Sequence, residues 1–358
     1  MSAPQDAVTL PSVAASPGPA GRPSWLRRVS SLLPGMAAAL AVGLVAYAVS
    51  SKTPALSPLI WSVVLGAVIA NTGRLPKRLA PGIAFAAKQV LRLAVGLLGL
   101  RLALTQVLAV GPKGVLLVLA AVGGTFAFSA WLGRRAGVKG PLSTVLAAGT
   151  SICGAAAIVA ISSAVDAEEE DVAVGVGAVT LWGTVAMLLY PLLGTLLGLS
   201  AVQFGLWSGA SIHEVAQVVG AAFSFGSATG TTGAVELATV VKLGRVLMLA
   251  PMALILALLF RRKRSGKPGA KVPLVPWFIV LFIATAALRS LGVLPSGVVD
   301  GVVKADTLLL AVAMAGLGLD LKWSKVRAAG LKPLWVTGLS TLFIAATTFA
   351  LMWATSGG

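Results

Sequence analysis

The sequence predicts an all-α polytopic membrane protein of about 11 transmembrane helices, arranged as two inverted repeats with interrupted helices. Three observations predict it. The chain of 358 residues is 57% apolar and only 11% charged, with a mean hydropathy of +0.95, whereas a soluble domain is about a quarter charged. The basic residues fall in short clusters between apolar runs, the pattern that orients membrane helices. Two polar, Gly-rich motifs, GTSICG (Gly149 to Gly154) and GASIHE (Gly209 to Glu214), sit inside apolar stretches. Such motifs cost energy in mid-membrane unless something packs or binds there.

The elements follow in order. Residues 1–31 read as a disordered cytoplasmic tail, rich in Pro, Ala, Ser and Gly up to residue 24. Arg22, Arg27 and Arg28 come late, just before an apolar run, so that run reads as a retained first helix and not as a cleaved signal. Apolar segments then cover 32–50, 56–72, 84–108, 113–133, 142–164, 171–198, 201–224, 229–260, 274–292, 304–321 and 332–355. With the N-terminus inside, the inner loops collect Arg74, Lys77 and Arg78, then Arg134, Arg135 and Lys139, then the run from Arg261 to Lys271, then Lys322, Lys325, Arg327 and Lys332. Outer loops hold only Lys52, Lys113, Arg289 and Lys304, and the acidic run Asp166 to Asp171 is also expected outside. The asymmetry sets eleven helices with the C-terminus outside.

The basic stretch 261–273 is the expected cytoplasmic linker between helices 1–8 (32–260) and helices 9–11 (274–358). Weak self-similarity accompanies it. Trp61 to Pro76 resembles Trp277 to Pro295, and Ala94 to Leu102 resembles Ala311 to Leu319. The matched segments are an odd number of helices apart, so the copies are inverted.

Several residues could carry chemistry. In GTSICG, Gly149 and Gly154 permit a backbone break, and Thr150, Ser151 and Cys153 lie between them. A helix restarting there would turn free N–H groups toward an anion; a small-residue packing seam is the other reading. In GASIHE, Ser211 offers a hydroxyl, and His213, the single histidine, precedes Glu214. Gln217 shares a helix face with His213. An ionisable group inside a span is a functional candidate, and histidine suits proton coupling. Lys242 and Arg245 are three apart on one face, with Glu236 elsewhere on the same segment. They lie too far from Arg261 to snorkel, so they pair with an internal carboxylate or a bound anion. Positive charge exceeds negative charge in the spans, which favours an anionic substrate. Arg101 is deep and its role is open; Asp320 is expected at an interface.

Other classes are excluded or weak. The net charge of +17 forms no single basic face, and no nucleic-acid motif is present. One cysteine and one histidine leave no disulfide or cysteine-rich metal site, and no cofactor is expected. An intramembrane enzyme using Cys153 and His213 lacks an orienting third residue, so the chain is not expected to be an enzyme.

GTSICGAAAIVA, GASIHEVAQVVGAA and KLGRVLMLAP (Lys242 to Pro251), in that order, resemble the YeiH-type sulfate exporter family of bacterial inner membranes. The resemblance runs from about Pro34 to the C-terminus. The family usually carries Asp after the His, so Glu214 is a conservative departure. The resemblance implies a two-repeat, crossed-helix fold like that of bile-acid symporters and cation–proton antiporters. It implies a transporter for a small inorganic or sulfur-containing anion. Thr150, Ser151, Ser211 and backbone amides would then bind the anion, Lys242 and Arg245 would supply charge, and His213 and Glu214 would couple protons or gate. The alternative is a sodium- or proton-coupled carrier of the same fold with Glu214 and Glu236 as ion ligands. The expected partners are that anion, H+ or Na+, the lipid bilayer and, at most, a second copy in a homodimer.

Overall fold

The computed structural model describes residues 24–53, 57–73, 75–101, 111–162, 164–260, 276–328 and 330–356. The described residues are overwhelmingly helical, with no β-strand among them. The elements are α1 (Ser24–Ser50), α2 (Pro58–Thr72), α3 (Lys77–Arg101), α4 (Gly111–Arg135), α5 (Gly140–Ala148), α6 (Ala155–Ser162), α7 (Glu169–Leu196), α8 (Ala201–Ser211) and α9 (Val215–Thr229). They continue with α10 (Ala234–Leu247), α11 (Leu249–Leu259), α12 (Trp277–Ser290), α13 (Ser296–Asp320), α14 (Trp323–Ala328) and α15 (Leu331–Ser356). Seven helical rods are long and apolar enough to cross a membrane: α1, α3, α4, α7, α10–α11, α13 and α15. Leucines such as Leu188, Leu189 and Leu192 along α7 point outward, as a lipid-facing surface requires. The chain is therefore an all-α, multi-pass membrane protein. α1 starts at Ser24, inside the expected tail; residues 102–108 of the third segment and the linker 261–273 lie outside the described residues.

Helices α1, α2, α3, α12 and α13 form one bundle, joined where the chain is small. A Cβ at Gly66 would lie 2.8 Å from Ala315 O, and one at Gly43 would lie 3.3 Å from Ala311. Close backbone approach of this kind is how helices associate in lipid, where burial of apolar groups gives no drive. Asn71 ties the ends of α2 and α13, donating to Leu321 O at 2.8 Å and accepting from Trp323 N at 2.7 Å. α2 packs on α13 and α12 packs on α3, so the segments similar in sequence exchange partners, as an internal two-fold would place them.

Helices α4, α7, α10 and α15 enclose the two interrupted segments, and here the structure corrects the sequence reading. The segments 142–164 and 201–224 do not cross. Phe204 and Phe225 stack with centroids 4.0 Å apart, whereas an unbroken helix would separate them by about 30 Å. Ile158 and Val145 both lie against Gly175 of α7, at 3.3 and 3.7 Å from its Cβ position, where a straight helix would hold them about 20 Å apart. Each segment is a helical hairpin that enters and turns back, so the eleven expected crossings are not all reached among the described residues. The chain reverses at Gly154, which takes φ +68°, and at the extended pair Ile212 (ψ 146°) and Glu214 (ψ 150°). Hydropathy measures how much chain is apolar; it carries no information on direction.

The hairpins enter from opposite ends of α7. Residues Gly140 and Pro141 at the start of α5 line one pocket with Val165, Asp166, Arg134 and Phe260. The acidic run therefore shares an end with Arg134 and the end of α11, against the expectation that it lies opposite them. The α8–α9 hairpin begins just beyond the other end of α7, 28 residues on, about 42 Å along the helix. α4 packs beside α5, α15 packs beside α8, and α4 lies along α15. The second hairpin and α10 precede residues 261–273, on the same side of the expected linker as α5–α7.

Candidate functional site

The tips of the two hairpins meet beside α10. Two kinds of helix end are presented there, and the chain treats them differently. The C-terminal ends of α5 and α8 leave carbonyls without intrahelical partners and carry partial negative charge. Lys242 and Arg245, both fully buried, gather these carbonyls. Lys242 Nζ donates to Ile152 O at 2.8 Å and to Ile212 O at 2.9 Å, one from each hairpin. Arg245 donates through Nε and Nη2 to Ser151 O (3.1 and 2.8 Å), through Nη2 to Thr150 O (3.1 Å), and through Nη1 to Ile212 O (2.8 Å) and Gly209 O (3.4 Å). The spacing of three that put both side chains on one face is what lets one helix clamp two tips. The structure turns these cations toward the chain's own carbonyls and not toward a free ligand position.

The N-terminal ends of α6 and α9 face the other way, toward the side of the tips that is only partly buried. Ala156 is exposed, and Ala155, Glu214 and Val215 are half-buried. A helix leaves its first N–H groups without internal acceptors. At α9 the N-cap is Glu214, whose carboxylate accepts from the Gln217 backbone while Gln217 Oε1 accepts from Glu214 N at 3.1 Å. The Glu214 carboxylate also accepts from Thr180 Oγ1 of α7 at 3.2 Å. It lies against the first turn of α6: a Cβ at Gly154 would come within 2.5 Å of Glu214 Cγ. Gly154 is thus glycine for two reasons, its positive φ and the carboxylate beside it. Gln217 Nε2 donates to Thr180 O at 3.2 Å and Thr184 Oγ1 at 3.4 Å, so α9 is locked to α7.

The hydroxyls expected as ligands are turned inward. Thr150 donates to Leu146 O (2.8 Å), Ser151 to Ala147 O (2.7 Å) and Ser211 to Trp207 O (2.6 Å). Their protons are spent on their own helices. Gly149 packs on Ile158 and Val179, and Cys153 is a buried free thiol. His213 is fully buried. Its Nε2 lies 2.7 Å from Thr341 Oγ1, which itself donates to Thr337 O at 2.7 Å, so Nε2 is the donor. Nδ1 has no partner among the described residues. The ring therefore binds α15, not Cys153. Glu236 stands in the first turn of α10, level with Gly205, whose Cβ position is 3.2 Å from Ala234 O. It is near the open end of the second hairpin and away from Glu214, so the two do not share one site. Thr180, Thr184 and Thr341 were not legible as site residues, since hydroxyls on apolar helices look like any back-bonded threonine.

Two opposed helical hairpins that meet tip to tip inside a helical bundle define a multi-pass membrane protein. The chain belongs to the family described as Conserved hypothetical protein 698, which matches residues 34–337. It is 38% identical over 284 residues to the UPF0324 inner membrane protein YeiH of Escherichia coli K12, covering 78% of this chain and 80% of that one. It is 37% identical over 334 residues to the UPF0324 membrane protein TauZ of Paracoccus pantotrophus, covering 92% and 95%. A UPF0324 membrane protein of Bacillus cereus is 39% identical over 285 residues, covering 78% and 82%. No solved structure matches the chain.

Proposed function

We propose that the chain is a secondary transporter that exports a small anion, sulfate or a related sulfur oxyanion or sulfonate, across the bacterial inner membrane by alternating access. One observation carries this reading. The hairpin tips are polarised: their carbonyl ends are sealed by Lys242 and Arg245, while the N-terminal ends of α6 and α9 are only partly covered. Backbone N–H groups and positive helix ends there favour an anion without a dedicated side-chain cation, and the Glu214 carboxylate, which caps α9 and lies against α6, is the group such an anion displaces. Opposed hairpins entering from the two ends of α7 also give each side its own gate. The relatives' printed descriptions as membrane proteins agree with this reading.

Glu214 at the same helix ends favours a second feature, coupling to a proton or to sodium, and keeps a cation-coupled carrier of another substrate as the alternative. The test is thermal stabilisation of the purified protein by sulfate, sulfite, thiosulfate, taurine and chloride, with and without sodium. Stabilisation by one of these anions supports the reading and names the ligand. A shift with sodium alone contradicts it and favours the alternative.

A further inference from the structure

A second charged pair is buried in the other bundle, and nothing in the tip site uses it. Asp306 lies on α13, about 15 Å of helix in from Ser296 and two residues beyond the exposed Lys304. It is 1% exposed. Among the described residues its one ionic contact is Arg101 Nη2 at 3.5 Å, and neither carboxylate oxygen accepts a hydrogen bond from them. Arg101, at the end of α3, donates through Nη2 to Thr307 Oγ1 at 2.9 Å and Val303 O at 3.2 Å, while its Nε is unpartnered. Its guanidinium sits 6.0 Å from the centroid of the Phe223 ring, on α9. The pair therefore joins the α3–α13 bundle to the second hairpin.

A buried carboxylate needs hydrogen bonds as well as a counter-charge, and this one has a single long contact. We propose that Asp306 is a proton-binding site whose charge state is felt by the second hairpin through Arg101 and Phe223. The proton comes from water: the Arg101 side chain is 15% exposed and gives the pair an edge on the solvent. Binding turns the carboxylate into a neutral carboxyl and frees Arg101 of its counter-charge. Few other charges face the pair. On α13, Asp300 and Lys304 are exposed; on α12, Arg289 is exposed; on α1, Tyr47 is exposed. Lys88 and Arg92 lie more than two turns back along α3, and α2 and α9 carry no ionisable side chain. Arg101 is thus the dominant charge on Asp306 among the described residues.

The test is infrared difference spectroscopy of the full chain in lipid nanodiscs, between alkaline and acid buffers. The carbonyl-stretch band of a carboxyl gaining its proton should appear in the wild type, persist in Glu214→Gln and vanish in Asp306→Asn. In Arg101→Gln the same band should move to higher pH by about one unit or more, since an opposite charge at this range is removed. A spectrum unchanged in Asp306→Asn overturns the proposal. Should that variant fail to fold, an unmoved midpoint in Arg101→Gln overturns it equally.

Discussion

The hairpin tips and the α3–α13 seam both bury basic side chains in a membrane protein, yet they use them in opposite ways. At the tips, Lys242 and Arg245 donate their hydrogen bonds to backbone carbonyls alone, those of Thr150, Ser151, Ile152, Gly209 and Ile212. At the seam, Arg101 faces a carboxylate whose oxygens lack hydrogen bonds. A cation saturated by backbone is architecture: it neutralises helix ends and holds a turn in place. An ion pair left short of hydrogen bonds is poised to exchange a partner. Buried charge alone does not mark a ligand site; the count of satisfied donors and acceptors separates the two uses.

The largest expected effect breaks the first half of this comparison. Arg245→Ala strips carbonyls of both tips of their partner, and Lys242→Ala does the same for Ile152 and Ile212. Each is expected to cost about 3–5 kcal/mol, read as loss of folded protein or a steep fall in thermal midpoint, with or without anion. Gly154→Ala comes next. It combines positive φ with a Cβ against Glu214, an expected cost of about 1–3 kcal/mol, read as a lower midpoint. Val215→Pro should leave the fold intact, because Pro suits the first helical position and the extended Glu214 before it. It deletes one N–H at the start of α9, so anion affinity should fall about tenfold or more, as loss of one hydrogen bond to a charged group implies. Ser151→Ala should be smallest: its hydroxyl serves only its own helix, so stability changes by less than about 1 kcal/mol and anion affinity stays put in the same assay.

Much of this was legible in the sequence, and the gaps have physical causes. The apolar segments, the breaks at GTSICG and GASIHE, and the shared face of Lys242 and Arg245 are matters of composition and helical period, and they appear where expected. The partners of those cations are not legible, because backbone carbonyls are the same in every sequence. The turning back of the hairpins is also hidden: Phe204 and Phe225 look like two aromatics of one long helix until the chain reverses between them. The start of α13 is hidden too: the tenth apolar segment reads from 304, whereas α13 begins at Ser296, because Asp300 and Lys304 keep its first turns out of any apolar run.

The most direct test of the central claim is equilibrium binding of radiolabelled sulfate, or of whichever anion stabilises the protein, to wild type, Val215→Pro and Ser151→Ala in detergent. The account predicts a Kd raised about tenfold or more in Val215→Pro with its thermal midpoint retained, and an unchanged Kd in Ser151→Ala. An unchanged Kd in Val215→Pro, or loss of binding in Ser151→Ala, would contradict it, because the anion would then be held by side chains and not by the open helix ends.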